Sequence, residues 1–266
     1  MDGTPKIEIN ADVSESVNEI IKKSLLSASE QFGMALGNVF GLLNTVTLPA
    51  KLANIYAQRN FEKYEQKIKD IPKDNIKEVE PEIAIPIIEK LSYTSNEDLA
   101  NAYANLLANA SQKDKVNLIH PGFINKLQNL APDEVNILEY LRKNKKLTFV
   151  YFEFKLVNSV GINDRYKIIT TPLTGIEKEL DIKTEQMAVH LNNLVSLSIL
   201  KDHPNSELDQ KDDYINLIST YSYIEKMCLK GIDEKRYDGF DKLVIKKSYF
   251  SVTPLGEIFI DSCTSK

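Results

Sequence analysis

After a short polar start over residues 1–13, in which Ile7 and Ile9 alternate as a short strand would, apolar positions recur every three to four residues from Ser14 to Lys146, the rhythm of helices with one buried face. From Ser14, Val17, Ile20, Leu25, Ala28, Phe32, Val39 and Leu43 predict a long N-terminal helical pattern, followed by a helix over Lys51–Asp70 with Leu52, Ile55, Tyr56, Phe61 and Tyr64 inward. Ile71-Pro72 ends that helix, and residues 73–80 form a charged connector. The next helix begins at Pro81 or restarts at Pro86, with Ile83, Ile87, Ile88 and Leu91 inward. Ser95 and Asp98 form a capping box, so a helix should start near Asn96, its stripe being Leu99, Tyr103, Leu106 and Ala110. Pro121 and Pro132 stand where first helical residues would, because proline lacks only an N–H that the first turn leaves unbonded.

After Pro132 the pattern changes. Asp133-Glu134 open a helix and Arg142 to Lys146 close it as C-terminal cations. In LTFVYFEFKLV, Leu147, Phe149 and Tyr151 alternate before Phe152, Phe154 and Leu156 take the opposite parity, which predicts a strand with a bulge or a short buried helix. Residues 172–180 and 184–200 read as two helices, the second capped by Asp181 or Thr184, with Met187, Leu191, Leu194, Val195 and Leu197 inward. A strand over Leu243–Val252 passes through Thr-Pro-Leu-Gly into a terminal helix. This order is that of a winged helix, and Tyr-rich residues 205–241 insert a helix where a wing tip would be. The expected fold is mainly α: an N-terminal helical region over 1–72, a three-helix middle over 81–131, and a winged-helix-like α+β domain over 132–266.

Residues 31–50 form a run without a charge, in which Gly33, Gly37 and Gly41 recur every four residues on one helix face, with Phe32 and Phe40 beside them. In water such a face admits a neighbouring backbone, and homo-oligomer or protein-partner contact follows. In lipid the length suffices for a span and the small-residue spacing suits helix association. Asn38, Asn44, Thr45 and Thr47 dilute the run and Pro49 stops it, so the soluble reading is preferred and conditional membrane contact competes with it.

Net charge of −5 argues against a surface built for nucleic acid. The expected groove-reading helix, 184–200, holds no Lys or Arg. Lys183 and Lys201 flank it, and Asn192 and Asn193 are its candidate base contacts. Glu207, Asp209, Asp212 and Asp213 follow and would repel phosphate. Protein contact or internal packing is therefore preferred over duplex binding. Hydrolase, phosphate-loop, dinucleotide and zincin motifs are absent, and the histidines (120, 190, 203) and two cysteines lack metal-ligand spacing, so no catalytic, cofactor or metal residue is assigned. His120, before Pro121, reads as a locally bonded turn residue, with acid–base work the alternative. Two cysteines and an N-terminus carrying Asp2, Glu8 and Asp12 point to the cytoplasm.

Four features in order, spread over three stretches, carry a family resemblance: the Ala-rich helix of LSYTSNEDLANAYANLLANAS, the His-Pro-x-Phe turn and Leu-x-Pro-Asp helix start of HPGFINKLQNLAPDEVNIL, and the Thr-Pro-Leu-Gly of the terminal SVTPLGEIFIDSC. They closely resemble the Abi-alpha family of bacterial abortive-infection proteins, over roughly Glu80 to Cys263. The resemblance implies phage defence and carries over no catalytic residue. The expected function is a non-enzymatic sensor or effector working through protein or membrane contacts. A DNA-binding winged-helix regulator is the alternative, and a toxin-like hydrolase with an unfamiliar site is a third class.

Overall fold

The computed structural model describes residues 31, 34–36, 55–158, 166–209, 211–237 and 239–264. In chain order they form α1 (Ile55–Lys69), α2 (Pro81–Leu91), α3 (Glu97–Ala110), α4 (Gly122–Gln128), α5 (Pro132–Lys143), β1 (Thr148–Val157), β2 (Tyr166–Ile168), α6 (Ile176–Glu179), α7 (Thr184–Ser196), β3 (Leu200–His203), α8 (Lys211–Thr220), α9 (Ser222–Asp233), β4 (Lys242–Val252) and α10 (Pro254–Cys263). The protein is mainly helical with a four-stranded antiparallel sheet. Two compact units divide it: Met1–Val135 with Ile258–Lys266, and Asn136–Glu257.

In the first unit α3 is the central helix. Ala100, Ala102, Ala104, Ala108 and Ala110 are all buried, because methyl side chains let neighbours close in on more than one side. Its cap is Asn96, whose side-chain oxygen accepts from Asp98 N and Leu99 N at 3.0 Å each. Ser95 does not cap; its carbonyl accepts from Arg59 instead, at 3.0 Å. α2 runs unbroken from Pro81 through Pro86. The backbone bond lost at Pro86 is outweighed by burial of Ile83, Ile87, Ile88 and Leu91, each contributing about 1.5–3 kcal/mol.

The inward face of α1 differs from the apolar stripe. Ala57, Asn60, Tyr64 and Ile68 are buried and Tyr56 is exposed. Asn60 replaces an apolar residue because its amide donates to Leu91 O and Thr94 O, both at 2.8 Å, where α2 ends with free carbonyls. The chain end is tied to α3: Asn105 Nδ2 donates to Cys263 O at 3.0 Å and Asn109 Nδ2 to Ser262 O at 2.9 Å. Of the uncharged run, Gln31, Met34, Ala35 and Leu36 are described and helical; Ala35 and Leu36 are fully buried, and Ala35 O accepts from Val79 N at 3.0 Å. Gly33, Gly37, Gly41, Phe32 and Phe40 lie outside the described residues.

In the second unit the sheet order is β2-β1-β4-β3. Every residue from Thr148 to Val157 faces one residue of β4, from Ser251 to Lys242, without a bulge. The change of apolar parity in β1 has another cause: the strand is buried on both faces, so neither face needs polar residues. On one face Tyr151 stacks on Phe250 with centroids 4.6 Å apart and donates to Asp202 at 2.8 Å. The other face, Val150, Phe152 and Phe154 with Leu173, is packed by Tyr214, Leu217 and Tyr221 from the insertion. That insertion is two helices, α8 and α9, broken at Tyr221.

The predicted helix over 172–180 shortens to α6, which starts after Gly175 at φ +83° and stops before Asp181 at φ +54°. Lys183 stands at the cap position of α7 without a side-chain bond, so neither Asp181 nor Thr184 caps it.

Candidate functional site

Two surfaces of the second unit combine exposure with polar chemistry. The first is the outward face of α7. Met187, Ala188, Leu191 and Leu194 are buried, which leaves Glu185, Gln186, Val189, Asn192 and Ser196 exposed, Val189 at 65%. That face has one acidic group, no cation and a bare isopropyl group at its centre. Lys183 lies exposed before the first turn and Asn192 in the third, roughly 13 Å along the axis at 1.5 Å per residue. Asn193 is half-buried, and its Oδ1 accepts from Ser196 Oγ at 3.4 Å. Lys201 is exposed on β3, paired in register with Ser251.

The second surface is an open cleft of about 580 Å³ beside the start of β1. Lys145 and Lys146 stand in the α5–β1 turn, Thr148 to Val150 give the strand edge, and Asp213, Asn216, Leu217 and Thr220 line it from α8. The turn places the lysines there because Lys145 adopts φ +52° and Lys146 N bonds back to Leu141 O at 2.9 Å. Sequence reasoning treated this pair only as helix-terminal cations. The signal for a cleft lies in where the backbone departs, which side-chain patterns do not carry.

Behind the cleft sits Glu177, only 2% exposed. Its carboxylate accepts from Thr174 N at 3.1 Å, from Thr174 Oγ1 at 2.5 Å and from Tyr221 Oη through a short bond. Burial, and then the Glu177 carboxylate, push the Tyr221 hydroxyl well above the ordinary phenolic range. Lys178 donates to Thr220 O at 2.9 Å and lies 4.2 Å above the Tyr221 ring. Among the described residues the donors facing Glu177 come from Thr174 and Tyr221, and with Lys178 bonded to Thr220 O the cluster locks α6 to the end of α8. Sequence reasoning missed it, since a lone Glu in a short helix has no motif.

The segments that carry the family resemblance have structural work of their own. His120 Nδ1 accepts from Gly122 N at 2.9 Å, the local bond expected of a turn residue, and Phe123 packs edge-on against Phe259 at 5.3 Å. In Thr-Pro-Leu-Gly, Thr253 N donates to Ile199 O at 3.0 Å, Thr253 Oγ1 donates to Ser198 O at 2.7 Å, and Gly256 N donates to Thr253 Oγ1 at 2.8 Å. A Cβ on Gly256 would fall 2.2 Å from Ile199 O, so glycine is required by close backbone approach.

A family model described as abortive infection alpha matches residues 56–263. The chain belongs to the abortive infection alpha family. Membership puts this abortive infection alpha protein among abortive-infection proteins and assigns it no site. Among curated proteins none matches the chain. A solved structure of an uncharacterized protein from the hydrocarbon-degrading marine bacterium Alcanivorax borkumensis SK2 is similar at 17% identity, over 52% of this chain and 88% of that one, with a TM-score of 0.31. Among the described residues of this abortive infection alpha protein, no helix is long and apolar enough to cross a membrane.

Proposed function

We propose that the chain acts in phage defence as a non-enzymatic sensor or effector, and that its second unit is a winged-helix-like module that meets a protein instead of a DNA groove. Strand order supports the module: β1, β4 and β3 lie side by side, with α6 and α7 between β1 and β3 in the chain, as in a winged helix. The observation that carries the reading is the outward face of α7, where Val189 is bare and no cation stands. A groove-reading helix offers Arg or Lys to phosphates, and most of non-specific affinity comes from those charges. A neutral face with one exposed aliphatic group suits a protein surface better.

Replacing Val189→Lys together with Asn192→Lys tests this. The expected result is loss of protection in a phage challenge with an unchanged melting temperature, because a desolvated contact then meets two charges. Retained protection would overturn the reading. So would binding of random duplex DNA by the unaltered chain below about 1 µM at physiological salt.

A further inference from the structure

The edge of β1 turned away from β4 is only partly used. In an antiparallel pair the backbone groups of alternate residues point to the partner and those between point away. Phe152 points away, since it exchanges bonds with Leu173 at 3.2 and 3.0 Å. Phe154 does the same, donating to Thr170 Oγ1 and accepting from Ile169 N, both at 2.9 Å. By the same alternation Val150 and Thr148 point away too. The pairing chain has gone by then: after Leu173 it turns at Gly175 into α6. Among the described residues no group takes the N–H or carbonyl of Val150 or Thr148 on that side. Val150 is buried and Thr148 is exposed, so the free edge runs from a covered rung, where a partner's hydrogen bonds are worth most, to an open one at the mouth of the cleft.

This free edge is the floor of the cleft described above. The geometry points to the cleft as the seat of an extended, acidic peptide segment that adds to β1 as a further strand. The proposal rests on the interaction reading and gives it a second site, distinct from α7. Two free rungs accommodate about four guest residues, roughly 13 Å of strand. Alternate guest side chains would face Leu217 on α8, which favours β-branched apolar residues there, while Asn216 and Thr220 offer hydrogen bonds beside them.

Charge selects the guest. Neither Lys145 nor Lys146 pairs with a carboxylate among the described residues, and Asp213 is the one acid in the lining. The Lys146 ammonium lies 5.5 Å over the Tyr140 ring, which leaves its charge available at the mouth.

The test uses the full chain and a fluorescein-labelled hexapeptide of alternating valine and threonine closing in two aspartates. Its comparators are the same peptide closing in two lysines and one with its alternate amides N-methylated. The acidic probe should bind about tenfold tighter than the lysine-ended one, N-methylation should abolish binding, and Lys145→Glu with Lys146→Glu should reverse the charge preference. Amide exchange at Thr148 and Val150 should slow when the acidic probe binds. No saturable binding up to about 1 mM, or equal binding of the N-methylated probe, would overturn the proposal. Those results would leave the α7 reading standing, since that is tested separately by protection of the Val189 and Asn192 variants.

Discussion

Removing the Tyr221 hydroxyl by Tyr221→Phe isolates the bond that closes the insertion onto α6. The ring stays against Phe152, centroids 5.9 Å apart, so packing is conserved, and what is lost is the bond to Glu177 together with the hydroxyl's contact with the Gly175 backbone. A hydrogen bond to a charged group contributes about 1.5–3 kcal/mol, and Glu177 keeps the two donors of Thr174. The variant should therefore lose about 2 kcal/mol, a fall of roughly 5–10 °C in melting temperature for a unit of this size. In a Glu177→Gln background the same change should cost less by about 1 kcal/mol or more, because the two groups act as a pair. Thermal melts of the four proteins by near-ultraviolet circular dichroism measure this. Strict additivity, or a Tyr221→Phe melt indistinguishable from the parent, would refute the claim that this bond holds the insertion.

Three further outcomes follow from the same reasoning. Asn60→Ala should cost about 2–4 kcal/mol by urea unfolding, since it strands the buried carbonyl of Leu91 and the half-buried one of Thr94 just past the end of α2; Asn60→Asp should be no better, offering them no donor. Gly256→Ala should cost about 3 kcal/mol in the same assay, because its Cβ meets backbone that cannot rotate away. Tyr64, Tyr103, Tyr151 and Tyr221 are all held above the ordinary phenolic value, chiefly by burial. The unfolded chain releases these protons near pH 10 and the folded chain keeps them, so stability is whole below about pH 10 and falls as pH rises beyond it. Each tyrosine adds about 1.4 kcal/mol per pH unit to that fall, and Tyr221→Phe should make alkaline denaturation less steep by one such share.

Helix order, the start at Pro132 and helical structure between β3 and β4 were legible in the sequence because they depend on local rules of capping and period, although the one helix expected there is two. The misread elements depend on distant partners. Tyr56 looked inward and Asn60 did not, since nothing near them announces that α2 ends with two carbonyls in reach. The run LTFVYFEFKLV looked like a bulge because the layer covering its second face comes from Tyr214, Leu217 and Tyr221, more than sixty residues on. His120 and the Thr-Pro-Leu-Gly turn were legible as motifs, yet the structure gives both of them bonding work within their own turns. The α7 face was legible as poor in charge, whereas the cleft, set by where the backbone leaves β1, was not.

The double-sided burial of β1 bears on how truncations of this protein can be interpreted. Cutting out residues 205–241 would strip the roof from Phe152, Phe154 and Leu173 and leave two aromatic rings, each with some 150–250 Å² to hide, facing solvent. A silent deletion mutant would then report a collapsed interior and say nothing of a missing docking site. Outward side chains of the same helices, such as Ile215 and Met227, are where single replacements can ask about recognition while the sheet stays roofed.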